Sequence, residues 1–378
     1  MNAAPMPAVS AIFGSREHLD VSRVLGELQA RRPVRVRASG EDLIALPVEG
    51  LDDQRLREFS MLCSSEIPRL IVTQQRARAI GIETSTPMAL SLSRAADASG
   101  VLELAAGNNN KSHFIAEAEA ADYAATAAIR LVKLVRGLPA ILAARTTAID
   151  NDVIQSISVI DADAVHRFVA DATSRLAVAS EATIPLASGT SARFVVFRDA
   201  LGVDQVAIIV GKPDESKPVP VRLHSACLTG DVFGSRRCDC GDQLQLALAR
   251  LESLGGGIIL YLAQEGRGIG LANKMRAYRL QDGGLDTRDA NTMLGFEDDE
   301  RDYVVAALML RKLNCTRIVL LTNNPAKLDG LTKAGIDISA RVALEAPITP
   351  HNKRYLTTKA VRSGHKLVTL KASANETS

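Results

Sequence analysis

Apolar residues recur along this chain in two rhythms, and the change from one to the other divides it. In "VSRVLGELQARRP" they fall at helical spacing over 21–32, and the run stops at Pro33. "VRVR", 34–37, alternates as a strand does. The region to about residue 150 is rich in alanine, and its clearest expected helix is "AEAEAADYAATAAIRLVKLVRGLP", ended by Gly137 and Pro139. The triple asparagine at 108–110 after Gly107 predicts a turn. "DADAVHRFVADATSRLA" predicts a helix linking the two halves.

Beyond about residue 174 the texture becomes extended and β-branched, in "ARFVVFRDA" and "QVAIIVGKP", followed by a polar loop, "GKPDESKPVP". Helices and strands then alternate. Helices are expected over 242–254, around "GLANKMRAYRLQD", in "DERDYVVAALMLRKL" and in "PAKLDGLTKAG"; strands in "GGIILYLA", "RIVLLT" and "ISARVAL". Such alternation implies a sheet that is at least partly parallel. The expectation is an α/β protein of two domains, the C-terminal one built on a mixed sheet and the N-terminal one smaller.

Composition narrows the core and the partners. The 378 residues suffice for two domains, each with its own core. Apolar residues make up 47% but aromatics only 3%, with no tryptophan, so the core must be aliphatic. A net charge of +2 gives no global field for nucleic acid or a membrane surface. No stretch approaches the roughly 18 apolar residues of a membrane helix, and the first twenty residues do not read as a signal peptide. The five cysteines, an odd number, point to a reducing cytoplasm with free thiols or metal ligands.

Three of those cysteines, Cys227, Cys238 and Cys240, crowd into "HSACLTGDVFGSRRCDCGDQ". Buried structural thiols rarely sit among such polar, charged flanks, and no fourth cysteine closes the set. Closed zinc sites take four protein ligands, whereas catalytic ones take three and leave a position for water. The spacing therefore points to zinc, with His224 able to make the site a closed one. An open zinc polarises its bound water for hydrolysis at an electrophilic carbon. Cys63 and Cys315, in apolar or helix-end contexts, are expected to be plain core thiols.

Two turns have the character of anion sites. "LLTNNPAK" runs from a strand end through Thr322 into a helix capped by Asn323 or Asn324, with Pro325 first and Lys327 one turn in. In "QEGRGIGL", Gly266, Gly268 and Gly270 allow close backbone approach, Arg267 offers a planar fork for phosphate, and Glu265 an acceptor. Its glycine spacing is not that of a dinucleotide fingerprint. The acids of "GFEDDERDY" read locally as compensation of a helix dipole, and periodicity singles out none of them.

Together, "RLHSACLTGDVFGSRRCDCGDQL", "YLAQEGRGIGLANKMRAYRLQDGGLDT", "LGFEDDERDY" and "LLTNNPAK" resemble GTP cyclohydrolase II in order and spacing, over about 176–370. The resemblance implies a catalytic zinc on Cys227, Cys238 and Cys240. It implies a GTP site drawn from Arg222, Leu223, His224, Ser225, Ala226, Gln243, Glu265, Gly266, Arg267, Thr287, Thr322 and Lys327. Asp299 matches the family's proton acceptor, Arg301 the group acting at the α-phosphorus, and Tyr278 the tyrosine beside the reacting ring. A Mg2+ ion with the triphosphate, a homodimer and a cytoplasmic location are implied too, with no nucleic acid and no membrane as partners. The expected reaction takes GTP to formate, pyrophosphate and a diaminopyrimidinone ribosylamine 5′-phosphate, at the entry to riboflavin synthesis. Two positions depart from the usual pattern: Ala226 stands where many members carry an acid, and Arg236 where an apolar residue is common.

The N-terminal half is similar, at "VLGELQARRPVRVR", to the opening of 3,4-dihydroxy-2-butanone 4-phosphate synthase. That enzyme needs a cluster of acids for magnesium and proton transfer, and "ASGEDLIALPVEG" offers only Glu41 and Asp42. His113, in "NNNKSHF", is expected in a loop rather than in the synthase's histidine motif. The layout expected is a disordered start at 1–12, an inactive synthase-like domain at 13–174, a cyclohydrolase domain at 175–370 and a tail at 371–378; His351 and His365 have no assigned role. Two alternatives stand beside it: a non-catalytic GTP-binding regulatory protein with a structural zinc, and a variant cyclohydrolase that stops early or serves another pathway.

Overall fold

The computed structural model describes residues 16–63, 68–108, 112–146, 151–171 and 176–344. The expected start at 1–12, the boundary at 174–175, Asn109, Asn110, His351, His365 and the tail lie outside them. Contacts sort the described residues into two compact units. One runs to Asp171 and takes in Ala272–Asp299; the other runs to Leu271 and resumes at Glu300.

In the first unit, helix α1 (Arg16–Gln29) buries Val21, Val24, Leu25 and Leu28, the i, i+3, i+4, i+7 stripe of an amphipathic helix. Strands β1 (Val34–Ala38) and β2 (Glu41–Pro47) form a hairpin. After α2 (Asp53–Leu62) come β3 (Arg69–Val72), the short α3 (Gln74–Ala79), β4 (Met88–Leu92), α4 (Ala98–Ala106) and β5 (Ile115–Ala120). Then follow α5 (Tyr123–Leu134), β6 (Ala140–Arg145), α6 (Asn151–Ser156), β7 (Val159–Asp161) and α7 (Ala162–Asp171). The sheet order is β5-β4-β3-β6-β2-β1-β7, antiparallel except for β1 with β7.

The alanine-rich run expected as one helix is two elements. Its first part, β5, is an edge strand whose Ala/Glu alternation follows the period of a strand. Asp122 then caps α5, its side chain accepting from Ala125 N at 2.7 Å. Alanine's helix preference had masked the alternation.

In the second unit β8 (Ala177–Pro185), β9 (Ser191–Arg198) and β10 (Asp204–Gly211) form an antiparallel meander. Beyond them β11 (Val219–Ser225), α8 (Cys240–Ser253) and β12 (Gly256–Leu262) make a parallel crossover, with β12 antiparallel to β10. With β13 (Arg317–Leu321) and β14 (Asp337–Val342) the order is β14-β13-β11-β12-β10-β9-β8, a mixed sheet. Valine, leucine and isoleucine fill both of its faces, Leu223, Leu260, Leu310 and Leu320 on one, Ala247, Leu251 and Ile259 on the other. In chain order β12 is followed by α9 (Leu271–Asp282) and α10 (Thr287–Met293), which fall in the first unit from Ala272 on, and then by α11 (Val304–Lys312), β13, α12 (Pro325–Lys333) and β14 of the second. The adjacent parallel strands β13, β11 and β12 deliver their C-terminal ends to one side, where α/β sheets bind ligands. Among the described residues no helix is long and apolar enough to cross a membrane.

Candidate active site

The end of β11 supplies the first group. Arg222 and His224, two residues apart, project from the same face of the strand, and both are buried. Arg222 Nη1 donates to Leu321 O at 3.0 Å and Nη2 to Gln243 Oε1 at 2.5 Å; the Gln243 amide donates in turn to Asp239. Burial pulls the Arg222 pKa down to about 10, so the guanidinium stays charged at neutral pH. Its Nε and the Ser225 hydroxyl are buried polar atoms with no hydrogen-bond partner among the described residues. Ala226 extends the strand pairing, its N–H donating to Leu262 O at 2.8 Å.

His224 Nε2 lies 3.1 Å from both oxygens of Asp231, and since a carboxylate only accepts, Nε2 carries the proton. The same carboxylate accepts from Tyr261 Oη at 2.8 Å and from Cys227 N at 2.9 Å. The Tyr261 ring stacks on the imidazole at 5.4 Å. Burial pushes the His224 pKa down against the pull of Asp231, and burial with the Asp231 contact pushes the Tyr261 phenol up. Asp231 and Tyr261 escaped sequence reasoning. Aspartate in "LTGDV" looks like an ordinary helix-start acid, and only strand pairing of His224 with Tyr261 brings the three groups together.

The sulfurs of Cys227, Cys238 and Cys240 all lie within 4.8 Å of one another, with Cys227 and Cys238 3.7 Å apart. Two thiolates on a tetrahedral zinc at about 2.3 Å would be roughly 3.8 Å apart. The hydrogen bond to the Cys227 thiol, with burial, pushes the Cys238 thiol up, and a bound cation would favour the thiolates instead. Gly230 faces the trio: a β-carbon there would come 2.9 Å from Cys238 Sγ and 3.1 Å from Cys227 Sγ. The residues thus fit a zinc ion held by three sulfurs. His224 is not in the cluster, its Nε2 being turned to Asp231, so among the described residues the three sulfurs alone would hold the ion, and they would leave it a position for water.

The turns after β12 and β13 flank this loop. Glu265 is buried and accepts from Leu228 N at 2.7 Å and from Gly266 N at 3.2 Å, tying the turn to the cysteine loop. Gly266 and Arg267 are both left-handed, and the Arg267 carbonyl accepts from Glu300 N at 3.0 Å. Asn324, not Asn323, caps α12, accepting from Ala326 N, while Asn323 donates to Leu344 O. Lys327 is buried, its Nζ donating to Leu223 O at 2.7 Å, and Thr322 Oγ1 accepts from Asn324 N. Arg301 lies over the Tyr303 ring at 6.0 Å.

The remaining expected residues belong to the first unit. Tyr278 is on α9, with Lys274 Nζ 5.6 Å over its ring. Thr287 opens α10 behind its cap Asp286, and Asp299 is exposed, next to Asp298, which pairs with Arg288 at 2.9 Å. In the β1–β2 hairpin the Asp42 carboxylate is engaged by Arg35 at 2.9 and 3.1 Å, and Glu41 pairs in register with Ala38. His113 lies in a one-turn 3₁₀ segment, exposed and against Phe114. Cys63 and Cys315 are buried in their units.

Residues 177–343 match the family model for GTP cyclohydrolase II. A GTP cyclohydrolase-2 of Xylella fastidiosa (strain Temecula1) is 40% identical over 359 residues, 94% of this chain and 89% of that protein. One of Azotobacter vinelandii is 51% identical over 179 residues, 47% of this chain and 86% of that protein. A riboflavin biosynthesis protein RibBA of Phocaeicola vulgatus is 51% identical over 176 residues, 46% of this chain and 44% of that protein. With a family model over the cysteine sheet and a relative matched almost end to end, the chain belongs to the GTP cyclohydrolase II family, a family of hydrolases.

Proposed function

We propose that this chain hydrolyses GTP to 2,5-diamino-6-(5-phosphoribosylamino)pyrimidin-4(3H)-one, formate and pyrophosphate, the first step of riboflavin biosynthesis. The observation that carries the reading is the three-sulfur cluster with Gly230 against it, set at the C-terminal ends of parallel strands within the family-matching region. Cys227, Cys238 and Cys240 hold a zinc ion, which when bound polarises water for attack on the imidazole carbon of guanine. Asp231 fixes Cys227 through its N–H and holds His224 in one tautomer. Arg222, Arg267 and Lys327 supply positive charge for a triphosphate accompanied by Mg2+, with Thr322, Gln243 and the Leu223–Ala226 strip as polar and backbone contacts. Glu265 and Gly266 shape the wall, Thr287 and Tyr278 contribute from the α9–α10 segment, and Ala226 removes a carboxylate that many relatives carry there. Asp299 takes up and returns the proton as the ring opens and the formamide is cleaved; Arg301 acts at the α-phosphorus as pyrophosphate leaves.

The protein works in this reading as a cytoplasmic homodimer, with 175–370 as the cyclohydrolase region. The region 13–174 is synthase-like but silent in this reading: Asp42 is engaged by Arg35, and among its described residues no carboxylates gather into a set that could hold magnesium. The test is to give zinc-loaded protein GTP and magnesium and to quantify formate and pyrophosphate beside a Cys238→Ser variant. Equal release of both, lost in the variant, supports the reading. Pyrophosphate alone marks a reaction that stops early. Bound GTP and one zinc per chain without either product would leave a binding module. Ribulose 5-phosphate should be untouched.

A further inference from the structure

The first unit does more than accompany the segment Ala272–Asp299; its residues grip that segment at both ends. Near the start, Asn273 is fully buried and donates to Arg136 O at 2.9 Å and Gly137 O at 3.3 Å. Arg276 donates to Glu49 Oε1 at 2.8 Å and to Asn273 Oδ1 at 2.7 Å, and the other Glu49 oxygen accepts from Leu138 N. Near the end, the Thr73 hydroxyl donates to Gly295 O at 2.7 Å, and Gln75 bonds the Glu297 side chain. Gly295 is left-handed, and a β-carbon there would lie 2.9 Å from Thr73 Oγ1 and 3.2 Å from Pro139 Cγ. Phe296 is buried, with Lys133 Nζ 5.8 Å over its ring.

Arg76 binds these parts together. It is 1% exposed, and its guanidinium donates to Leu104 O at 2.7 Å, Glu103 O at 2.6 Å and Met293 O at 2.8 Å. Those carbonyls are in the last turns of α4 and α10, where the helix dipole is negative, so two helix ends share one buried cation. A buried arginine hydrogen-bonded to carbonyls is costly to keep, a cost that the Glu103 charge nearby offsets in part, and its geometry fixes where α10 stops.

We propose that Thr73 and Arg76, with Glu49 and Arg276, are positioning residues that fix the α9–α10 segment, so that the synthase-like unit, silent in its own chemistry, is a clasp for the cyclohydrolase reaction. The proposal rests on the reading above that Tyr278, Thr287 and Asp299 serve that reaction. Tyr278 and Thr287 lie between the two grips and Asp299 two residues beyond Glu297. The Azotobacter vinelandii relative is matched over 86% of its length by 47% of this chain, so the chemistry does not demand the whole N-terminal unit. The clasp therefore tunes turnover and is not a condition for it.

The experiment compares the full-length, zinc-loaded protein with Thr73→Val, Thr73→Ser and Glu49→Gln variants. Hydrogen exchange of 272–299, kcat and KM for formate release, zinc content and melting temperature are read together. Thr73→Val should raise exchange over 293–299 and lower kcat about five- to twentyfold, with KM within twofold and zinc still one per chain. Thr73→Ser, which keeps the hydroxyl, should restore both. Glu49→Gln should do the same for exchange over 272–282, more mildly. Unchanged exchange, or raised exchange with unchanged kcat, overturns the clasp, as does a kcat loss that Thr73→Ser does not restore. An inactive wild type sinks the functional reading, and the clasp's role in turnover with it; an active wild type with unaffected variants sinks the clasp alone.

Discussion

Asp231 holds His224 from seven residues away, with both carboxylate oxygens 3.1 Å from the ring Nε2. One of these oxygens, Oδ2, also accepts from Tyr261 and from the backbone of Cys227. One buried carboxylate thus orders a histidine, a tyrosine and the chain at a sulfur of the three-cysteine cluster. Asp231→Asn keeps the shape but turns an acceptor into a donor against one of three donors. Loss of such a supporting partner costs roughly 10- to 100-fold in metal affinity. Chelator competition at fixed pH measures it; unchanged zinc retention would remove Asp231 from the account of the site.

Gly230 gives a sharper test of the metal. The β-carbon of Gly230→Ala would press on two of the sulfurs at 2.9 and 3.1 Å. Zinc stoichiometry should fall well below one per chain, while the β8–β14 sheet, built from strands outside this loop, retains its circular dichroism. A variant that still binds one zinc with unchanged affinity would place the ion elsewhere.

Lys327 and Asp299 should separate binding from chemistry. Lys327→Met removes a buried positive charge proposed for the triphosphate and should raise KM for GTP at least about tenfold, or 1.4 kcal/mol, with a smaller effect on kcat. Asp299→Asn removes the proposed proton carrier and should lower kcat by about 10²–10⁴ with KM little changed. Steady-state formate release distinguishes the two patterns, and their exchange would reverse the assigned roles.

Cys315 sets an alkaline limit on the second unit. Burial, aided by Glu215, pushes its thiol from the ordinary 9.0 up to about 11. Above pH 9 the unfolded chain loses this proton while the folded one keeps it, so stability falls as pH rises from 9 to 11 and is intact below. Each unit is worth about 1.4 kcal/mol, which solvent screening reduces to a total of about 1–2 kcal/mol. Urea melts at pH 8 and 10.5 should show a smaller alkaline loss in Cys315→Ala than in the wild type; equal losses would refute it.

Much of the second unit is legible in the sequence because its strands are aliphatic runs closed by glycine, proline and asparagine. "GGIILYLA" becomes β12 and "RIVLLT" becomes β13 within a residue or two. The cysteine trio is legible from its spacing and polar flanks, whereas Gly241 is the second residue of α8, where it leaves room for the Gly230 carbonyl. The joint of β5 and α5 is not, because alanine favours a helix on either side of Asp122. Asp231 is hidden because its partners are separated in sequence and meet only through strand register. Nor does any local pattern show that 272–299 packs with the N-terminal half: Asn273, Arg276 and Phe296 look like ordinary residues until Arg136, Glu49 and Lys133 are beside them.

That discontinuous unit fixes an order of events during synthesis. When the ribosome has passed Asp171, the first sheet is complete but its unit is not, for Ala272–Asp299 has still to be made. At about 5–20 residues per second the wait until Asp299 is made is roughly 6 to 26 seconds. Through that interval Arg76 lacks the Met293 carbonyl, and the surface that will cover Phe296 stands bare. The nascent chain therefore passes through a stage in which its N-terminal half is open to chaperones and to its neighbours, and is closed only by a segment made after β12.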